Sequence, residues 1–83
     1  MLDNLPTLDL HGEYTESAII LTDEFINDNI ILKNEKIVVV HGLGEDILRK
    51  NIHLFLSHNK KVKEFKRDFF NPGATIIVLN IKK

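Results

Sequence analysis

The sequence predicts a two-layer α/β domain with element order β-α-β-α-β-β, and three observations predict it. Two apolar segments, Leu8-Asp9-Leu10-His11-Gly12 and Val38-Val39-Val40-His41-Gly42-Leu43-Gly44, each run into His-Gly and then into a stretch of helical periodicity. Asn71-Pro72-Gly73 is a turn signal too short for a crossover, so the last two strands pair as an antiparallel unit. The two helical crossovers are right-handed connections of the same hand, which leaves the first three strands parallel and puts both helices on one face of a four-stranded mixed sheet.

Each element follows from its own pattern. Residues 1–6 read as a short tail ending at Pro6, followed by a single domain over residues 7–83. Residues 7–11 form a short strand that Gly12 breaks. Thr15 is a suitable N-cap, with Glu16 placed to interact with the helix dipole. Ala18, Leu21, Thr22, Phe25, Ile26, Asn29 and Ile30 recur at helical spacing, so the first helix spans about residues 15–32, with Lys33 and Asn34 at its C-terminal end. Ile37 to Val40 is a β-branched run suited to a central strand buried on both faces. The second helix, about residues 45–58, buries Leu48, Ile52, Phe55 and Leu56 with Ile47 at the margin; His53 and His58 read as solvent-facing or as C-terminal dipole partners. Val62 to Phe69 is polar enough for an edge strand, and Ala74 to Ile81 is a fourth strand rich in β-branched residues.

Composition narrows the functions available. The 83 residues allow one modest core, and an apolar fraction of 43% excludes general disorder. Cysteine is absent, which excludes disulfides, thiolate nucleophiles and Cys-based zinc sites. No apolar run approaches the roughly 18 residues of a membrane span. Asp3 and the lack of basic residues near the start argue against a signal peptide, so the expected location is cytoplasmic. The net charge of −1 conceals an asymmetry: residues 1–32 carry seven acids and no Lys or Arg, whereas residues 33–83 carry all eleven basic residues and five acids. That imbalance suits an anionic partner for the second half, or a solvated acidic helix that the basic residues balance.

Parallel strands bring His11 and His41 to one sheet edge, where open α/β sheets bind ligands. Asp9 and His11, two apart on a strand, are expected to share a face, where a carboxylate can orient an imidazole or share a divalent metal with it. Gly42 and Gly44 permit positive φ and close approach of a ligand to the backbone. Glu45 and Asp46 occupy the first turn of the second helix and oppose an anion there. Arg49 can fork onto a phosphate near the turn, with Lys50 beside it. Lys60, Lys61, Lys63, Lys66 and Arg67 cluster before and along the third strand, where they serve either nucleic-acid binding or protection of an edge. The spacing supports no Ser-His-acid triad. No Gly-Lys-Ser/Thr follows the glycines, so a nucleotide cofactor and ATP hydrolysis are not expected.

The two ordered signatures, with Leu48-Arg49 after the second and Asn71-Pro72-Gly73-Ala74-Thr75 before the last strand, resemble the small MutS-related (Smr) domain family over about residues 7–81. The resemblance implies a fold like that of the C-terminal domain of translation initiation factor 3, and membership among nucleic-acid-binding modules that include nicking and RNA-cutting endonucleases. Carried onto this chain, the family pattern gives functional weight to Asp9, His11, His41, Gly42, Gly44 and Arg49. Two positions depart from it: Asp46 stands for the third glycine of the turn, and Leu43 for a residue that is often basic. The leading expectation is a monomeric nucleic-acid-binding domain, with DNA or RNA as partner and no tightly bound cofactor. In that reading Asp9, His11 and His41 are the catalytic candidates for endonuclease activity dependent on Mg²⁺ or Mn²⁺, while Gly42, Gly44, Arg49, Lys50, Lys60, Lys61, Lys63, Lys66 and Arg67 hold the backbone. The alternatives are a binding module without cleavage and a protein-interaction domain that uses its acidic first helix.

Overall fold

The computed structural model describes residues 4–81, so part of the tail expected over residues 1–6 and the extreme C-terminus lie outside the described residues. The elements are β1 (Thr7–Asp9), α1 (Thr15–Ile31), β2 (Lys36–Val40), α2 (Asp46–Ser57), β3 (Val62–Arg67) and β4 (Ala74–Leu79). The sheet order is β1-β2-β4-β3. β1 and β2 are parallel, and β4 runs antiparallel to both β2 and β3, so β1, β2 and β3 share one direction as expected. No helix among the described residues is long and apolar enough to cross a membrane.

Helical and strand periodicities meet in one core. α1 buries Ala18, Thr22, Ile26 and Asn29, and α2 buries Leu48, Ile52 and Leu56. They pack with Leu10 and with alternate strand residues Ile37, Val39, Ile77 and Leu79. Polar members of the α1 stripe are internally satisfied, because Thr22 donates its hydroxyl to the Ala18 carbonyl at 2.7 Å and Asn29 donates Nδ2 to the Phe25 carbonyl at 2.8 Å. The alternation then places Val38, Val40, Ile76 and Val78 on the opposite sheet face, together with Asp9, Glu64 and Lys66 by register.

The strand and helix ends differ from the sequence expectation for local reasons. β1 stops at Asp9 rather than residue 11, because the Asp9 carboxylate accepts the His11 backbone N–H at 2.9 Å and turns the chain. β3 stops at Arg67 rather than Phe69, where buried Asp68 accepts the Phe70 N–H at 3.0 Å and begins the next loop. The N-cap of α1 is Tyr14, not Thr15, and makes no side-chain capping bond.

The C-terminus of α1 closes in a Schellman arrangement. Lys33 N–H donates to the Ile30 carbonyl at 3.0 Å and Asn34 N–H to the Asn29 carbonyl at 2.9 Å. This holds Lys33 at φ 63°, a left-handed conformation in which a Cβ is unfavourable by about 1 kcal/mol. Lys33→Gly is therefore expected to stabilise the domain by roughly 0.5–1 kcal/mol, read as a higher urea midpoint and a rise in Tm of about 2–8 °C.

Candidate functional site

Three loops converge where β1, β2 and β3 end. The Gly73 carbonyl accepts N–H groups from both His41 and Gly42, each at 2.9 Å, which ties the β3–β4 loop to the β2–α2 turn. A Cβ on Gly73 would lie 3.0 Å from the Leu43 nitrogen and 3.1 Å from the Gly42 carbonyl carbon, so only glycine fits there without backbone movement. Gly42 has φ 98°, and a Cβ on it would lie 3.0 Å from the His11 ring. The two His-Gly signatures thus meet as the sequence implied, with His11 exposed and seated against Gly42.

Beneath this junction lies a polar cluster on the helix-covered face. His41 is 0% exposed, and its Nε2 is 3.0 Å from the Thr75 hydroxyl. His53 reaches the same hydroxyl from α2, with Nε2 at 2.7 Å. The remaining His41 nitrogen, Nδ1, is 3.3 Å from the Gly42 carbonyl. A carbonyl only accepts, so Nδ1 carries the proton and Nε2 accepts from Thr75; the Thr75 oxygen then accepts Nε2–H from His53. The His53 ring is held further by edge-to-face contacts with Phe65, centroids 5.1 Å apart, and His41, 6.0 Å apart.

Two guanidiniums complete the cluster. Arg67, in register with Thr75 on the adjacent strand, donates Nε and Nη2 to the Pro72 carbonyl at 3.2 and 2.9 Å. Arg49 stands one helical turn before His53. Its side chain is 19% exposed, and its only ion pair among the described residues is a long one, 3.6 Å to the exposed Asp46. The Arg49 Nε is buried and has no hydrogen-bond partner among the described residues. Burial lowers the pKa of both histidines below the usual 6.5; repulsion from Arg67 and Arg49 adds to this for His41, and repulsion from His41, Arg49 and Arg67 adds to it for His53. The Gly42 carbonyl opposes the shift at His41. At neutral pH the centre therefore holds two neutral imidazoles between two permanent positive charges.

Of the residues singled out from the sequence, the structure gathers His11, His41, Gly42, Arg49 and Arg67 at this edge. Gly44, at φ 78°, shapes the same turn, and Lys50 is exposed on the first turns of α2. Asp9 is elsewhere: it pairs with Val40, whose side chain lies on the sheet face opposite His41, and its carboxylate caps the His11 backbone. Lys66 lies on that same opposite face by register with Ile76. Lys60 and Lys61 sit at the far edge of the sheet, where Lys61 bonds Asn27 of α1, and Lys63 is beside them at the start of β3. His53 is a correction. Its place in the second helix suggests solvent or the helix dipole, whereas it is half-buried and bonded to Thr75. Its spacing of i+4 from Arg49, directly after the core residue Ile52, was the available signal. His58 is exposed at the C-cap, as expected.

The donor set does not fit Mg²⁺ or Mn²⁺. Such ions select oxygen ligands, chiefly carboxylates. Here the clustered donors are two imidazoles and a hydroxyl flanked by two guanidiniums. No three His, Asp or Glu side chains among the described residues are grouped to hold an ion.

The fold and this glycine-packed histidine edge define a small α/β domain of the Smr type, and comparison with known proteins agrees. The family model for the Smr domain matches residues 8–80, and the chain belongs to that family. It is similar to the endonuclease MutS2 of Ligilactobacillus salivarius, 36% identical over 77 residues, and to that of Finegoldia magna, 37% identical over 75 residues. Each match covers 87% of this chain and 10% of the relative, so the chain spans about a tenth of those proteins. Its fold superposes on the Smr domain of Thermus thermophilus MutS2 with a TM-score of 0.88 at 24% identity, covering 92% of this chain and 99% of the other. It also superposes on YdaL, a stand-alone small MutS-related protein from Escherichia coli, with a TM-score of 0.85 at 18% identity, covering 89% and 63%.

Two predictions follow from the hydroxyl shared by the histidines. Thr75→Val leaves two buried ring nitrogens without their partner and is expected to destabilise the domain by about 1–3 kcal/mol in urea unfolding, while Thr75→Ser retains most of the stability. The lowered pKa values also set a pH dependence. Between the folded-state values and 6.5 the unfolded chain binds more protons than the folded one, so stability is complete above about pH 6.5 and falls as the pH drops toward the folded-state values. The urea midpoint should be lower at about pH 5.5 than at about pH 7.5, and His53→Gln should flatten that difference.

Proposed function

We propose that this Smr domain binds nucleic acid by seating a backbone phosphate against Arg49 and Arg67, at the edge where His11 meets Gly42. The observation that carries this reading is the buried Arg49 Nε, without a hydrogen-bond partner among the described residues, in a cluster whose two histidines also feel the charge of Arg67. A partly desolvated cation whose only carboxylate neighbour among the described residues is the long, exposed Asp46 contact is stabilised further by an anion, and a phosphate offers the two-oxygen geometry that guanidinium forks match. The endonuclease names of the MutS2 relatives support nucleic acid as the anion.

Phosphodiester cleavage is the finer proposal. His53, half-buried and neutral at physiological pH, is then the group that accepts the proton of the attacking oxygen, through the Nδ1 left free by its Nε2–H bond to Thr75. The P–O bond to the leaving oxygen breaks, and that oxygen takes a proton from water. The two guanidiniums neutralise charge that grows on the phosphoryl oxygens. His41 is too buried to touch a bound strand, and acts through Thr75 to fix the tautomer and tilt of His53. Asp9 shapes the His11 turn from the other side. A second reading, binding without cleavage, is favoured by that same burial of His41 and by Leu43 and Asp46 in the glycine turn. It predicts identical affinities and no product.

Incubation with nicked, branched and single-stranded DNA and RNA, with and without Mg²⁺ or Mn²⁺, tests these statements. Binding is expected to weaken with salt, and Arg49→Ala and Arg67→Ala each to lower affinity about tenfold and reduce the salt slope by about one phosphate contact. Cleavage, where detected, should fall steeply in His53→Ala. Cleavage unchanged in His53→Ala, and in Arg49→Ala with Arg67→Ala, would sink the assignment of this edge as the reactive site.

A further inference from the structure

The β3–β4 loop carries a surface feature that the site described above does not explain. Phe69 and Phe70 are each 89% exposed, and their rings stand edge to face with centroids 5.1 Å apart at 87°. Burial of a phenylalanine ring is among the larger single contributions a small core can gain, so two adjacent rings left in water are a substantial sacrifice for an 83-residue domain.

The loop is not slack. Asp68 N–H donates to the Ala74 carbonyl at 2.9 Å, and Ala74 N–H to the Asn71 carbonyl at 2.9 Å. The Asp68 carboxylate fixes the Phe70 N–H, and the Asn71 side chain accepts the Gly73 N–H at 3.1 Å. Arg67 grips Pro72 through two donors, and Gly73 is locked to the β2–α2 turn. A segment tied at so many points presents its two rings from a fixed backbone, on the loop whose base supplies Arg67.

We propose that Phe69 and Phe70 are a stacking platform for unpaired bases, so that the site selects single-stranded or unstacked nucleotides on either side of the gripped phosphate. This rests on the nucleic-acid reading above and names its substrate class. Two π-faces set nearly at right angles receive two bases only if those bases are free of their own stack, whereas a duplex keeps its base faces hidden. Charge complementarity selects the occupant: guanidiniums at the foot of the loop attract a polyanion, and base faces supply the apolar partner the rings lack.

The test is fluorescence anisotropy with the full chain, using oligonucleotides of about twelve nucleotides: a mixed-sequence single strand, the blunt duplex of that sequence, and an abasic strand of equal length. Wild type is expected to bind the single strand more tightly than the abasic strand or the duplex. Phe69→Ala and Phe70→Ala should each weaken single-strand binding about 5- to 150-fold and leave abasic and duplex binding unchanged. Phe69→Leu and Phe70→Leu, which keep apolar bulk without a π-face, should show much of the same loss. Arg49→Ala, which leaves the loop's own ties intact, should weaken all three oligonucleotides alike. Both rings are exposed, so the variants are expected to fold, and circular dichroism verifies it.

The outcomes separate the two levels of the proposal. Oligonucleotide binding that persists unchanged in the phenylalanine variants overturns the platform and spares the phosphate site. Failure of wild type to bind any oligonucleotide at low salt overturns the nucleic-acid reading itself. Self-association of wild type that these variants abolish, with single-strand affinity unaltered, assigns the rings to a second copy of the chain and also overturns the platform.

Discussion

The site depends on one hydroxyl. Two imidazoles drawn out of water need partners, because an unpaired buried polar group is unfavourable by more than most single contacts contribute. Thr75 meets both needs at once, accepting from His53 and donating to His41. It can do so only because β4 is inserted between β2 and β3. That placement pairs Thr75 with Val39 on one side and Arg67 on the other, two residues from the Gly73 carbonyl that holds the His41 backbone. A slip of one residue in β4 would turn Thr75 to the opposite sheet face and leave both histidines unpaired.

The glycines take their meaning from the same crowding. A glycine-rich turn before a helix invites the reading that the backbone must approach a ligand. Here the close approach is first between loops: His11 rests against Gly42, and Leu43 rests against Gly73. Gly42 answers to a positive φ as well as to space, whereas Gly73 answers to space alone. The packing of three loops on one another supplies the rigidity that holds His11, the histidine pair and the phenylalanine loop at one edge.

Elements that bury one periodic stripe were legible in the sequence. The run Ile37 to Val40 and the spacing Ala18, Thr22, Ile26, Asn29 were read correctly because burial imposes its period directly on residue choice. The parallel direction of β1, β2 and β3 follows from the two helical crossovers, and the antiparallel β3–β4 pair from the short loop between them. The central place of β4 was not legible, since strand order is a long-range choice that no local pattern records. Asp9 shows the limit of the period-two rule. Asp9 and His11 share a face only while the strand continues, and the Asp9 carboxylate itself ends the strand by capping the His11 N–H. His53 was missed because its partners lie 22 residues along the chain, at Thr75, and on a different strand, at Phe65.

The charge asymmetry of the sequence resolves into separate places rather than one basic face. β3 carries basic residues along its whole length, on both faces. Lys61 and Arg67 flank the strand six residues apart, about 20 Å at the rise of an extended chain. That exceeds the Debye length of about 8 Å at physiological ionic strength, so the two do not act on one phosphate. What distinguishes Arg49 and Arg67 from the exposed lysines is partial removal from solvent for Arg49 and fixed orientation on a carbonyl for Arg67. A cation held still and partly dehydrated attracts an anion more strongly than a solvated lysine of the same formal charge. Burial at the Thr75 junction also keeps His41 and His53 neutral, so the only charges left in this cluster are those of the two guanidiniums, Arg49 partly withdrawn from water and Arg67 exposed.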